Sequence, residues 1–278
     1  MNMNRFLFIL CLLLSFAGGS SVSQAADSWS YPTSKPSNPF SGGSGGYYDP
    51  FLINSAQELA NLAYMVNHGT KYEGKYFRLT TDIVLNDLMI NFSGNIIYGD
   101  PTSWTPIGGS KSFKGTFNGG GHTIKGLYIK DEDAKYQGLF GSVENATICN
   151  LNIDNSCIYS LSNFSGKYYG LLCGVSYGFV KCSNVHVTKS LLDIRNDELS
   201  VGGLLGKAED TNSHEYLNMD NCSFDGNICV RPNSYAAGMV TKSKGIITNC
   251  TTRGNIFITE EKYEKYGHDG RMAAGLTI

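Results

Sequence analysis

The sequence predicts an all-β protein, a parallel β-helix closed at its N-terminal end by a single capping α-helix. Three observations carry that reading. First, a Gly-Leu marker recurs as Gln137-Gly138-Leu139-Phe140-Gly141, Tyr169-Gly170-Leu171-Leu172-Cys173, Gly202-Gly203-Leu204-Leu205-Gly206, Ala237-Gly238-Met239-Val240 and Ala274-Gly275-Leu276. Aligned on Gly138, Gly170, Gly203, Gly238 and Gly275, the copies lie 32, 33, 35 and 37 residues apart, a period typical of solenoids and propellers. Second, 33 glycines and only 17% charged residues suit a turn-rich β chain. Third, apolar residues within each unit come in short runs split by Gly, Asn and Ser, too short for helices and right for strands between tight turns. A WD-type blade would show its signature dipeptides and a leucine-rich repeat a shorter, leucine-denser unit, so a parallel β-helix fits best.

In chain order, residues 1–25 read as a signal peptide: Asn4-Arg5, an apolar run from Phe6 to Ala17, and the small-x-small end Ser23-Gln24-Ala25. That run is too short to span a bilayer, and no second one follows, so the chain is expected to be exported without a transmembrane segment or lipid anchor. Residues 26–46, with Ser41-Gly42-Gly43-Ser44-Gly45-Gly46, read as a flexible Ser/Pro/Gly-rich leader. The N-terminal cap spans 47–110. Its helix starts at the capping box Ser55-Ala56-Gln57-Glu58, carries Leu59, Leu62, Ala63 and Val66 on one face, and stops at His68-Gly69. Short strands follow at Tyr76-Phe77-Arg78-Leu79 and Ile83-Val84-Leu85.

The repeats occupy 111–278, the last one incomplete. After each marker comes a second half-unit, exemplified by Ile148-Cys149-Asn150-Leu151, Lys181-Cys182-Ser183-Asn184, Asn221-Cys222-Ser223 and Asn249-Cys250-Thr251. Cys149, Cys182, Cys222 and Cys250 therefore read as one inward column of small side chains, with no metal-ligand spacing among the seven cysteines beyond the signal segment. Polar loop tips are expected at Asp131-Glu132-Asp133, Asn196-Asp197-Glu198, Glu209-Asp210-Thr211-Asn212 and Glu260-Glu261-Lys262. The chain stops just after a new marker begins, which predicts a truncated gene or a longer parent and an exposed strand edge at that end.

These motifs resemble the GLUG-repeat proteins, exported bacterial proteins named for the Gly-Leu-x-Gly core that Gly138-Leu139-Phe140-Gly141 and Gly203-Leu204-Leu205-Gly206 match. Trp104-Thr105-Pro106-Ile107-Gly108 and Gly119-Gly120-Gly121-His122-Thr123-Ile124-Lys125-Gly126-Leu127 resemble the stretch that precedes such repeats, and the resemblance covers 47–278. Cys173 stands where the second glycine is expected and Met239-Val240-Thr241 departs further, so those two units read as degenerate. The resemblance implies a right-handed β-helix outside a bacterium, in adhesin-like proteins and beside the catalytic part of some IgA-specific metallopeptidases. It implies no activity.

Chemistry is sparse. His214-Glu215-Tyr216-Leu217-Asn218 misses the HExxH zinc motif because Asn218 replaces the second histidine. If the chain were a carbohydrate-active β-helix enzyme, its acids would be Asp154 and Asp225, near corresponding strand ends two units apart and about 10 Å from each other. His122 and His186 are isolated. The sequons at Asn91, Asn145, Asn163, Asn221 and Asn249 read as turn asparagines. Tyr168, Tyr169, Tyr263 and Tyr266 are the candidates for stacking on a sugar. Lys plus Arg number 22 against 24 Asp plus Glu, a net charge of −2 with no basic stripe, which argues against nucleic acid as a partner. The expectation is a non-catalytic exported or cell-surface β-helix, without cofactor, that binds a glycan or a host or cell-surface protein. The alternatives are a polysaccharide lyase or hydrolase, and a non-catalytic piece of a larger surface protease.

Overall fold

The computed structural model describes residues 26–90, 96–98, 100–130, 134–160, 165–195, 199–209, 217–258 and 271–273. Outside them lie the signal segment, Gly275, Tyr263, Tyr266, residues 214–216 of the HExxH near-match, the sequons at Asn91 and Asn163, and most of the expected loop tips.

The fold is a parallel β-helix. Each coil crosses three sheets in turn. From the marker the chain passes through a four-stranded sheet (Tyr136–Gln137, Tyr168–Tyr169, Ser200–Gly202, Tyr235–Ala237) and then a three-stranded one (Phe140–Glu144, Cys173–Tyr177, Leu205–Ala208). It then enters a 14-stranded sheet whose longest members are Thr147–Asp154, Val180–Ile194, Ser223–Val230 and Thr251–Ile258. Neighbouring coils pair in parallel. Antiparallel exceptions are the hairpin of Met89–Ile90 with Ile96–Tyr98 and the pairing of Arg271–Ala273 with Thr251–Ile258.

Side chains alternate faces along a strand, so in-register parallel pairing stacks equivalent positions into columns. One inward column reads Phe51, Phe77, Phe117, Ile148, Cys182, Met219 and Ile247. A second reads Ile83, Ile124, Ile153, Val187, Phe224 and Thr252, and a third Ile129, Ile158, Leu192, Ile228 and Ile256. Each fully buried aliphatic or aromatic rung contributes on the order of 1.5–3 kcal/mol. Phe117, Ile148 and Met219 are fully buried, whereas Ile247, in the last coil, is 41% exposed.

Bends between columns are built from stacked residues in the left-handed region. Asn150, Asn184, Asn221 and Asn249 have φ of 53, 53, 50 and 54°, a conformation that Asn adopts more readily than other residues with a side chain. Their amides join the coils: Asn150 Nδ2 donates to Asn118 Oδ1 (3.1 Å), Asn184 to Asn150 (2.9 Å), Asn221 to Asn184 (2.8 Å), and Asn249 to Asp220 Oδ1 (2.9 Å). A second bend holds a buried hydroxyl pair, with Leu127 N–H donating to Ser156 Oγ and Ser156 N–H to Ser190 Oγ.

The N-terminal helix α1 runs over Ala56–Asn67. Ser55 Oγ caps Glu58 N–H, the Glu58 carboxylate reaches back to Asn54 N–H, and His68 is the C-cap. Leu59, Leu62, Ala63 and Val66 are buried in the same core cluster as Ile53 and Phe77. Asn67 Oδ1 accepts from Gly108 N–H (3.0 Å) and Gly109 N–H (2.8 Å), fastening the helix end to the segment that leads into the repeats.

Four expectations are corrected. The segment 26–46 is packed rather than a free leader: Trp29 donates to Leu85 O and meets the Trp104 ring at 5.4 Å, Phe40 lies 5.0 Å from the Phe51 ring, and Gly42 bridges to Leu52. Its aromatic residues, which precede the glycines, bind it to the cap together with the Ser30–Gln57 and Pro39–Asn61 hydrogen bonds. The four cysteines do not form one column. Cys149 is level with Ser183, Cys182 is level with Ile148 and Met219, and the shared register belongs to the asparagines beside them. The marker also slips: Tyr169 pairs with Val201, which makes Gly170 level with Gly202 rather than Gly203. Cys173 pairs with Phe140 and Leu205, so it replaces no glycine, and Gly174 takes the place of Gly141 and Gly206. A Cβ on Gly206 would sit 2.5 Å from Gly174 O and 2.7 Å from Tyr169 N, so these glycines are set by the close crossing of two sheets. Finally, Arg271–Ala273, just before the fifth marker, pairs antiparallel instead of adding to the parallel stack.

The asparagine column yields a two-variant prediction. Asn184→Gly keeps the left-handed bend and removes two amide hydrogen bonds, so urea unfolding should show a loss of about 1–3 kcal/mol. Asn184→Ala adds the left-handed strain of about 1–2 kcal/mol and should be clearly the less stable of the two.

Candidate binding surface

Tyr136, Tyr168 and Ser200 pair rung upon rung in the four-stranded sheet, with Tyr235 next. They face outward. Alternation then turns their neighbours inward, and this divides the two adjacent tyrosines: Tyr169 is fully buried, with its hydroxyl donating to Ser160 Oγ at 3.2 Å. Tyr169 is therefore a core residue, contrary to its expected role as a sugar contact. Tyr168 remains on the surface.

Around Tyr168 the corner between the four- and three-stranded sheets gathers aromatic and charged groups. The Tyr136 and Tyr168 rings stack at 5.7 Å with planes 20° apart, and Tyr177 Oη donates to Tyr136 Oη at 3.0 Å. Lys135 Nζ lies 5.2 Å from the Tyr136 ring centre and 5.9 Å from that of Tyr168, while Lys207 Nζ lies 5.0 Å from the Tyr168 ring centre. Lys207 also pairs with Glu209 at 2.8 Å, and both reach the Tyr168 hydroxyl. Glu144 is level with Tyr177 and pairs with Lys114 at 2.7 Å.

The electrostatics follow from this crowding. Partial burial, then Glu209, push the Tyr168 phenol up, and burial followed by the Tyr136 hydrogen bond does the same to Tyr177. Both phenols therefore stay protonated donors at neutral pH. For Glu209, partial burial would raise the carboxyl, but the bonds from Lys207 and Tyr168 and the nearby Lys242 outweigh it and the pKa falls. Among the described residues, four lysines (Lys114, Lys135, Lys207, Lys242) face two glutamates (Glu144, Glu209) at this corner.

Sequence reasoning found Tyr168 and missed Tyr136, Tyr177, Lys135, Lys207 and Glu209. The available signal was positional: Tyr136, Tyr168 and Ser200 each stand two residues before a glycine that shares one register.

The other candidates do not converge. Asp154 Oδ1 accepts from Thr188 Oγ1 at 2.7 Å, and Asp225 is exposed and level with Arg253. With Thr188 on the rung between them, two rung spacings amount to about 10 Å, just beyond the roughly 5–9.5 Å used by paired glycosidase acids. His186 shares a 2.9 Å hydrogen bond with Ser223, but the rung beneath holds Asn152 rather than a carboxylate. A polar cleft of about 280 Å³ lies at the other end of the molecule, lined by Asp27, Asp87 and Asp100. Among the described residues no His, Cys, Asp or Glu group is gathered to hold a metal ion, and no helix is long and apolar enough to cross a membrane.

No protein-family model matches the chain. Over 184 residues it is 31% identical to a protein of Evansella cellulosilytica provisionally named a Gly-rich membrane protein, covering 65% of this chain and 18% of that one. Over 171 residues it is 30% identical to halomucin of Haloquadratum walsbyi, covering 60% of this chain and 2% of halomucin. The chain thus matches less than a fifth of the length of either relative. Among solved structures, a chain provisionally titled an immunoglobulin A1 protease from Bacteroides ovatus aligns with a TM-score of 0.39 at 17% identity, covering 86% of this chain and 85% of that chain.

The depressed Glu209 pKa fixes a pH dependence. A carboxyl lowered from its ordinary 4.5 contributes stability above that value and loses it as pH falls through the folded pKa. Urea midpoints should therefore fall more steeply below about pH 4.5 for the native chain than for Glu209→Gln.

Proposed function

We propose that the chain is a non-catalytic, surface-presented β-helix of the GLUG-repeat type whose Tyr136–Tyr168–Tyr177 corner binds acidic glycans. The observation that carries this reading is the pair of stacked tyrosines 5.7 Å apart, with the ammonium groups of Lys135 and Lys207 5.2 and 5.0 Å from the Tyr136 and Tyr168 ring centres. The ring faces of Tyr136 and Tyr168 are largely occupied by each other and by ammonium groups. What the corner offers a ligand is therefore ring edges, the Tyr136 hydroxyl, which accepts from Tyr177 and keeps its own proton to donate, and cationic Nζ atoms, groups suited to carboxylates and sulfates. The excess of lysine over glutamate favours anionic over neutral sugars. A solenoid repeats such a corner at each rung, which suits a polymer lying along the axis. The name of the Evansella relative, a membrane protein, supports a place at the cell surface. Absence of a converging acid pair at Asp154 and Asp225 speaks for binding without cleavage.

Retention on immobilised polygalacturonate and on dextran tests this. The native chain should bind the acidic polymer, release it as salt rises, and ignore dextran. Tyr168→Ala combined with Lys207→Gln should weaken the binding by about tenfold or more with the fold intact by circular dichroism. Equal affinity in that variant, or preference for dextran, would sink the assignment. Polygalacturonate incubated with the native chain should keep its length; shortening that disappears in an Asp154→Asn, Asp225→Asn double variant would instead establish the enzyme reading.

A further inference from the structure

Cys222 and Cys250 stand directly above one another on successive coils. Asp220 pairs with Thr248 before them and Ser223 with Thr251 after them, so the register leaves no offset. Thr251 N–H donates to Cys222 O at 3.0 Å, Cys222 N–H points at Cys250 Sγ at 3.4 Å, and the two thiols lie within hydrogen-bonding reach of each other. Adjacent strands are about 4.8 Å apart, inside the roughly 4.4–6.8 Å window of Cα separations that a disulfide spans. The five remaining described cysteines are placed differently. Cys182 belongs to the neighbouring inward column, Cys149 is level with Ser183, Cys157 with Leu191 and Cys229 with Asp193, and buried Cys173 donates to Val175 O.

We propose that Cys222 and Cys250 form a redox site at which an exchanging disulfide closes a covalent link between the last described coil and the one before it. Cys250 is partly accessible, because no described parallel coil follows it, whereas Cys222 is 1% exposed. Cys250 therefore reacts first: its thiolate attacks a disulfide RSSR, forming Cys250–S–SR and releasing one RSH after protonation. Cys222 then loses its proton and attacks the Cys250 sulfur, expelling the second RSH. The net change is two protein thiols oxidised and one RSSR reduced to two RSH. Burial pushes the Cys222 thiol up to about 12, so closure is the slow step and quickens with rising pH.

The link has a structural purpose. The strand Gly245–Thr248 is exposed throughout, with Ile246 at 60%, and among the described residues it pairs only with Leu217–Asp220 of the coil below. Joining Cys250 to Cys222 clips this end to the buried stack, as a cross-link restricts local opening.

The purified chain incubated with oxidised glutathione, then denatured and alkylated, should show two fewer alkylatable thiols, with peptide mapping joining the Cys222 and Cys250 peptides. Trypsin cleavage after Lys244 and Arg253 should slow on the order of tenfold on oxidation and recover with dithiothreitol. Cys250→Ser should abolish both effects, while Cys182→Ser should leave them. Full thiol count after oxidation at pH 8.5, a bridge mapped to another cysteine pair, or cleavage unchanged by the Cys222–Cys250 bridge would each overturn the proposal.

Discussion

The registry between successive coils is the interaction on which the rest of this structure depends. Parallel hydrogen bonding without slippage assigns every position of the coil to one column, and a column has a single environment along its length. The Phe117, Ile148, Cys182, Met219 column is dry because each rung is roofed by the next, and its final member, Ile247, is half-open because no described parallel coil covers it. Polar columns obey the same logic. An asparagine at the bend satisfies the left-handed backbone and hands its amide to the coil beneath, so the residue that shapes the turn also locks the registry.

This explains what could be read in advance. The solenoid and its capping helix were legible because period, glycine content and the Ser55–Glu58 capping pattern are local properties of the chain. Register was harder. Sequence alone aligns Cys149, Cys182, Cys222 and Cys250, yet their different offsets from the asparagine put Cys149 and Cys182 in separate columns from the Cys222–Cys250 pair. An extra residue between Gly170 and Gly174 likewise disguised a retained corner glycine as a lost one. Only inter-coil pairing reveals such offsets, since residues roughly 30 apart carry no mark of which one stands above the other. The leader was misread for a related reason: its composition is that of a linker, but Trp29 and Phe40 are enough to dock it on a surface the sequence does not display.

The candidate site shows the same division. Tyr168 was visible as an aromatic in a polar setting, but its adjacent partner Tyr169 was indistinguishable until alternation sent it into the core. The lysines beside its rings come from different coils, Lys135 from the bend before Tyr136–Gln137 and Lys207 from the strand Leu205–Ala208. Columns thus convert residues remote in sequence into a patch, and a patch on a repeating corner can be extended or edited one rung at a time without disturbing the core. Tyr136, Tyr168, Ser200 and Tyr235 are such a series, with Ser200 an interruption in an otherwise aromatic line.

If registry is the governing constraint, stability is carried by contacts between neighbouring coils, and disturbance at one rung spreads only to the rungs beside it. Native-state hydrogen exchange followed along the solenoid measures this directly. The account predicts protection that is highest in the inner coils around Thr147–Asp154 and Val180–Ile194 and declines stepwise to Gly245–Thr248, where the strand is exposed. A single cooperative protection level shared by the helix-capped end and the last coil would contradict it.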